Sequence, residues 1–124
     1  MALNFDLRNK TIVLTGSAGR VGSRFSEILS KAGANLVLID KDIEKNEKLF
    51  KKIKKQYKTR CLISNIDITD ASKIDNLVKT VLKKYSKIDV LINNAHFIPR
   101  DDQNLCVPFE KYPYELWQKT ISEN

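Results

Sequence analysis

The chain has 124 residues, 42% hydrophobic and 30% charged, with a formal net charge of +7. That length suits one domain with a modest core, and the balance excludes a disordered chain. No apolar run approaches the roughly 20 residues that span a bilayer, and Met1–Lys10 carries Asp6, Arg8 and Lys10 without an apolar stretch of the secretory kind.

In chain order, Thr11-Ile12-Val13-Leu14-Thr15 is β-branched and almost wholly apolar, the pattern of a strand buried on both faces. Glycines follow at 16, 19 and 22. Val21, Phe25, Ile28, Leu29 and Ala32 fall on one helical stripe, and Gly33 supplies the stop. Leu36–Ile39 reads as a second buried strand ending at Asp40. The next helix carries Ile43, Phe50, Ile53 and Tyr57 at helical spacing, with seven lysines (45, 48, 51, 52, 54, 55 and 58) in the remaining positions. Aromatic residues do not interleave those lysines in the manner of a single-strand binder, since Phe50 and Tyr57 belong to the apolar stripe, so the segment reads as a solvated helix face and no nucleic-acid partner is expected.

Arg60–Ile66 reads as a third strand, ending at Asp67. Ile74, Leu77, Val78, Val81, Leu82 and Tyr85, three and four apart, mark a helix starting near Asp70. Val90-Leu91-Ile92 is a fourth strand running into Asn93-Asn94-Ala95. Strands separated by helices of this length imply a parallel sheet with helices on both faces. Residues 96–113 form a loop holding all three prolines, and 114–124 begin a further helix with Leu116, Trp117 and Ile121 on one side. That helix has no stop signal, so the chain is expected to be one partial domain, cut before its later strands.

The chemistry is concentrated at the first turn, Thr15-Gly16-Ser17-Ala18-Gly19-Arg20-Val21-Gly22, between a strand and a helix. Gly16 permits the tight turn, Gly19 lets backbone approach a diphosphate, and Gly22 lets the helix pack close to the strand. Backbone amides and the positive helix end then hold the anion. A Walker-type loop is excluded, because no Gly-Lys-Ser/Thr occurs. Asp40 lies 18 residues beyond Gly22, where a carboxylate accepts hydrogen bonds from an adenosine ribose and repels a 2′-phosphate. NAD is therefore expected over NADP, with Lys41 working against the preference. Asp67 stands where a strand end faces adenine; its competing reading is a cap for the next helix. No metal is expected.

Thr-Gly-x-x-Gly-x-x-Gly at 15–22, Asp40, Asp67-Ile68 and Asn93-Asn94-Ala95 together resemble the short-chain dehydrogenase/reductase family, over Asn9 to Asn124. The resemblance implies a Rossmann-type α/β fold with strand order 3-2-1-4. It implies a dinucleotide held by Gly16, Ser17, Gly19, Arg20, Val21, Gly22, Asp40, Asp67, Ile68, Asn93 and Ala95. It further implies hydride exchange with a small alcohol or carbonyl, of the kind met in bacterial surface-sugar or flagellin-modification members. Asn124, seven residues after Trp117, matches the asparagine of the family's Asn-Ser-Tyr-Lys tetrad. Homo-oligomers are expected of the intact enzyme, and the two cysteines without an export signal suggest a reduced cytoplasmic setting.

Three departures stand out. Arg20 occupies the usual middle-glycine position, where it reaches a phosphate or faces solvent. His96 replaces the glycine that completes Asn-Asn-Ala-Gly. The catalytic Tyr-x-x-x-Lys is missing: Cys61, Asp89, Leu116 and Gln118 stand four residues after the four tyrosines. Such acid–base help is worth about 10²–10⁴-fold, so this chain alone is expected to be inactive. The alternatives are a stand-alone nucleotide-binding or interaction module, a lysine-based nucleic-acid binder, and a methyltransferase, which also places an acid after its second strand.

Overall fold

The computed structural model describes residues 5–99 and 102–123. Four parallel strands form one sheet: β1 (Thr11–Thr15), β2 (Asn35–Ile39), β3 (Cys61–Ser64) and β4 (Val90–Ile92), in the order β3-β2-β1-β4. Between them run helices α1 (Arg20–Lys31), α2 (Ile43–Gln56) and α3 (Ala71–Tyr85), and α4 (Tyr114–Glu123) ends the described chain. A short 3₁₀ turn at Phe109–Lys111 interrupts the proline-bearing loop. The third strand is shorter than the sequence pattern suggests, because only Cys61–Ser64 pairs with β2.

Alternation along β1 and β2 divides the core into two layers. Ile12, Leu14, Leu36 and Leu38 point to one face, where Leu49 and Ile53 of α2 cover them, with Leu29 of α1 packed alongside. Val13, Val37 and Ile39 point to the other, beneath Leu77, Val81 and Tyr85 of α3. Both faces of the two central strands are thus sealed, and their residues from Ile12 to Leu14 and Leu36 to Ile39 are buried. Leu36, Leu38 and Ile53 are wholly inaccessible. Truncating any of them to alanine is worth about 2–5 kcal/mol of stability.

The chain steps outward from β1 to β3 with α1 and α2 on one face, then returns under the opposite face through α3 to place β4 on the other side of β1. That reversal leaves a crevice outside the carboxyl ends of β1 and β4, the place where open α/β sheets bind ligands.

Two helix faces differ from the sequence pattern. On α1 the buried residues are Gly22, Ser26 and Ser30, whereas Val21, Phe25 and Ile28 are exposed, Ile28 by 65%. Only small side chains fit where the helix presses against the turn that precedes it, so Val21, Phe25 and Ile28 face outward while Leu29 reaches the core. On α2, Ile43 is exposed, while Asn46, Leu49 and Ile53 are buried; the seven lysines all lie on its solvent side and just beyond its end. Lys52 pairs with Glu27 of α1, tying the two helices together at the surface.

Gly33 closes α1 with φ +90°, and the amides of Gly33 and Ala34 bond back to Ser30 and Leu29. This is the left-handed cap that glycine favours. α2 and α3 start on side-chain caps: Asp42 accepts from the Lys45 amide and Asp70 from the Lys73 amide. Asp70, and not Asp67, is therefore the cap of α3.

At the other end of the sheet, Asp89 fixes the entry of β4. Its carboxylate accepts the Thr11 amide at 2.8 Å, and its own amide bonds to the Thr11 carbonyl. That amide bond, reinforced by Lys87, holds the carboxyl below the ordinary aspartate range. The depressed value means the contribution is present above an unfolded pKa of about 3.9 and fades as pH falls through the folded value. Melting curves between neutral pH and pH 2 should accordingly show a smaller acid-induced loss in Asp89→Asn than in the wild type; equal losses would remove the assignment.

The two cysteines are free. Burial pushes the Cys61 thiol up to about 12, whereas Cys106 is exposed. A thiolate-directed reagent at pH 8 should modify one thiol per native chain, and Cys106→Ser should remove that reaction. Two fast thiols would show that β3 opens readily.

Candidate functional site

Strand β1 ends at Thr15, and the chain turns sharply at Gly16, whose φ is +62°. A Cβ there would meet the Ala95 backbone at 2.8 Å, so the turn requires glycine for its conformation and for the close approach of the β4 end. A Cβ on Gly22 would lie 2.1 Å from the Gly16 carbonyl oxygen. The first turn of α1 can sit this close to the strand-end turn only because Gly22 has no side chain. Gly19, by contrast, has room for a methyl group with a modest shift, its nearest neighbour lying at 3.3 Å.

Helix α1 begins at this turn with no side-chain cap and no acidic residue in its first turn. Its leading amides and positive end are thus left to the crevice, the arrangement that binds anions. The crevice is a cavity of about 650 Å³, whose wall includes Gly16, Gly19, Arg20, Val21, Gly22 and Asp40. Asp67, Ile68 and Ala95 complete it, with Lys41, Lys45, Asn94 and His96 also in the wall. The volume falls within the range of small-molecule sites.

Asp40, at the end of β2, reaches across to the turn. One carboxylate oxygen accepts the Ala18 amide and the other accepts the Asp42 amide, both at 2.9 Å. Each oxygen keeps a further lone pair. Lys41 and Lys45 stand beside it, and Lys45 pairs with Asp42.

Asp67 forms a local turn in which one oxygen accepts both the amide and the hydroxyl of Thr69. Those two bonds hold its carboxyl below the usual range, so it remains an anion with a second oxygen available. Asp67 lies in the cavity wall, and the cap of α3 is Asp70.

At the β4 end, Thr15 ties the strand ends together. Its hydroxyl accepts the amides of Asn94 and Ala95 at 3.0 Å, and the Asn94 side-chain amide donates to the Thr15 and Gly16 carbonyls at 3.1 Å. Asn94 is therefore a brace of the turn, a role that sequence reasoning missed. The pairing of Thr15 with an asparagine after a distant strand is the signal that could have suggested it.

Of the residues expected to hold a dinucleotide, Gly16, Gly19, Arg20, Val21, Gly22, Asp40, Asp67, Ile68 and Ala95 line one cavity. Two are placed elsewhere. Ser17 is wholly buried, its hydroxyl bonded to Asn46 and its amide to the Ile39 carbonyl, so it lies beneath the wall. Asn93 is exposed at the end of β4, and its neighbour Asn94 takes the place in the wall. Asn124, the expected catalytic asparagine, lies outside the described residues. His96 lines the cavity, with Nδ1 3.4 Å from the Asn94 carbonyl oxygen. Among the described residues no cluster of metal-ligating side chains occurs, and no helix is long and apolar enough to cross a membrane.

Comparison with known proteins gives the same frame. The chain is 32% identical over 98% of its length to an NAD-dependent glycerol dehydrogenase from Listeria innocua, 44% of which it covers. It is 29% identical, over 96% of its length, to a short chain dehydrogenase/reductase, dpmpG, from Macrophomina phaseolina, covering 65% of that protein. The crystal structure of a short-chain dehydrogenase/reductase of the glucose/ribitol dehydrogenase type from Brucella melitensis superimposes with a TM-score of 0.83 at 28% identity. That match spans 97% of this chain and 46% of the Brucella one. The chain thus spans about half the length of most relatives it matches. The short chain dehydrogenase family model matches residues 10–124. Its strand order, its three-glycine turn and that match together make this chain a member of the short-chain dehydrogenase family.

Proposed function

We infer that the chain is the dinucleotide-binding part of an NAD-dependent oxidoreductase, and that it binds the coenzyme without turning it over. One observation carries this reading: the uncapped start of α1 and the carboxylate of Asp40 open on the same cavity. The amides of Arg20, Val21 and Gly22 would take the diphosphate, Asp40 the adenosine ribose, and Ile66, Asp67 and Ile68 the adenine side. Ala95 and His96 would stand along the path toward the nicotinamide. Bound there, the nicotinamide would supply a hydride acceptor or donor. The proton-transferring Tyr-x-x-x-Lys pair does not occur in the 124 residues, so hydride transfer should be very slow.

The companion substrate would be a small alcohol or carbonyl compound; polyols and sugars are the class suggested by the names of the relatives. A reducing, cytoplasmic setting belongs to the same reading, since both cysteines are free. NADP is the second reading, favoured by Lys41 and Lys45 in the wall beside Asp40.

Titrating the chain with NADH and following the nicotinamide fluorescence tests the proposal. Saturable binding, stronger than that of NADPH and without oxidation by polyol or sugar substrates, is the expected result. An absence of saturable binding by either coenzyme would overturn it.

The remaining length of the relatives would also cover surfaces that are bare here. β4 pairs with β1 on one side, and Val90 and Leu91 are exposed on it. An apolar strand edge invites pairing with another chain. Sedimentation should therefore find this chain self-associating at micromolar concentration, and Leu91→Lys should raise the monomer fraction. A wild-type chain that stays monomeric would show that the edge is protected.

A further inference from the structure

Asn46 is wholly buried on the sheet side of α2, beside Leu49 and Ile53. Burying an amide in such a place is costly unless every polar atom finds a partner. Here each does. The side-chain oxygen accepts the Ser17 hydroxyl at 2.8 Å. The nitrogen donates to the Leu38 carbonyl at 3.3 Å and to the Asn65 side-chain oxygen at 3.0 Å. The orientation of the amide follows, because the Leu38 carbonyl can only accept.

Those three partners belong to three different pieces of the cavity. Ser17 sits between Gly16 and Ala18 in the turn after β1, Leu38 is in β2 just before Asp40, and Asn65 begins the loop that carries Ile66, Asp67 and Ile68. Ser17 is further held by its amide bond to Ile39. A single buried side chain therefore links the turn, the end of β2 and the loop after β3 from beneath.

We propose that Asn46 is a positioning residue for dinucleotide binding, acting through Ser17 on the diphosphate turn and through Asn65 on the adenine-side loop. This rests on the dinucleotide reading given above. Binding geometry must be held to within about 0.5 Å by groups that are themselves locked by hydrogen bonds. An apolar residue of similar volume would fill the space but leave the Ser17 hydroxyl and the Asn65 side-chain oxygen without the bonds that join them, and the turn and the loop would then move independently.

The test uses the 124-residue chain, with NADH fluorescence as the signal and ADP-ribose or adenosine as competitors. Ser17→Ala leaves the Asn46 oxygen unpaired and should weaken ADP-ribose roughly tenfold, with adenosine changed less than about twofold. Asn65→Ala should weaken adenosine and ADP-ribose alike, by about threefold, since both carry the adenine group. Asn46→Leu should weaken both competitors, ADP-ribose roughly tenfold. The double variant Ser17→Ala/Asn46→Leu should bind ADP-ribose within about twofold of Asn46→Leu alone, since the two residues act through one bond.

Asn46→Asp keeps the acceptor for Ser17 and loses the donors, so its ADP-ribose affinity should lie between those of the wild type and Asn46→Leu. Thermal melting of each variant identifies a temperature at which all are folded. If Asn46→Leu does not fold, the contrast between Ser17→Ala, selective against ADP-ribose, and Asn65→Ala, which weakens both competitors, carries the test, because both leave Asn46 in place.

Wild-type affinities in a folded Asn46→Leu, independent penalties that multiply in the double variant, an adenosine loss in Ser17→Ala as large as its ADP-ribose loss, or an unchanged adenosine affinity in Asn65→Ala would overturn the proposal. If the wild type binds none of these ligands, the dinucleotide reading fails with it. If the wild type binds and the variants match it, only the role of Asn46 fails.

Discussion

Replacing Gly22 with valine should remove both the stability of the turn and its affinity for dinucleotides. The reason is geometric. A Cβ at position 22 would sit 2.1 Å from the Gly16 carbonyl oxygen and 2.9 Å from the Ser17 Cα. All of these neighbours are backbone, so no rotamer change relieves the contact; α1 must lift away from the turn. Overpacking of this kind costs about 3 kcal/mol, which for a chain of this size lowers the melting temperature by about 10 °C. It also displaces the amides that face the cavity, and a loss of 3 kcal/mol in binding is about a hundredfold in affinity.

Gly22→Ala should show the same effect in smaller measure, the clash outweighing the roughly 1 kcal/mol that alanine gains over glycine in a helix. Gly19→Ala is the control for stability, because its nearest contact at 3.3 Å is backbone that needs to give by only a few tenths of an ångström. Calorimetric melting and NADH titration of the three variants distinguish the cases. A Gly22→Ala chain as stable as the wild type would refute the close approach of helix and turn.

The second large effect belongs to Asp40. Its carboxylate can accept from a ribose, and a hydrogen bond to a charged group is worth about 1.5–3 kcal/mol. Asp40→Ala should therefore weaken NADH by roughly ten- to a hundredfold. The same change deletes the carboxylate that would repel a 2′-phosphate, a penalty of several kcal/mol, while Lys41 and Lys45 remain in the wall. NADPH should then bind as well as NADH, or better.

Asp40 also supports the site from within, since it accepts the Ala18 and Asp42 amides. Asp40→Asn separates these roles: it keeps an acceptor for one of the amides and loses the negative charge. NADPH should improve in Asp40→Asn without the loss of turn support expected in Asp40→Ala. Coenzyme preference unchanged in both variants would remove Asp40 from the site.

Much of this architecture is written in local patterns. The limits of β1 and β4 follow from runs of β-branched and apolar residues, and the glycine spacing at 16, 19 and 22 marks the turn between strand and helix. The strand order follows once the chain is seen to resemble its family, because crossover connections of this length leave few arrangements. The place of Asp40 and Asp67 in the cavity wall was legible because a strand end is a fixed address in such a sheet.

The helix faces were less legible. Val21, Phe25 and Ile28 form a good apolar stripe, yet the sheet side of α1 is Gly22, Ser26 and Ser30. Periodicity reports that a helix has an apolar face; it does not report which face meets the sheet. That choice depends on how closely the helix approaches the preceding turn, and the 2.1 Å approach at Gly22 admits only small residues. The same distance from local signals hid Asn46, a polar residue in a lysine-rich helix, which reads as solvent-facing until its partners at 17, 38 and 65 come together.

By itself, then, the sequence determined the alternation of strands and helices, the glycine turn and the acids at the strand ends, since each depends on neighbours a few residues apart. Only the tertiary structure decided that Ser17 lies under the cavity, that Asn94 braces it and that Asn46 joins its parts. Those are contacts across 8 to 79 residues of chain, set by the packing of helices on a sheet, where no short-range rule of spacing applies.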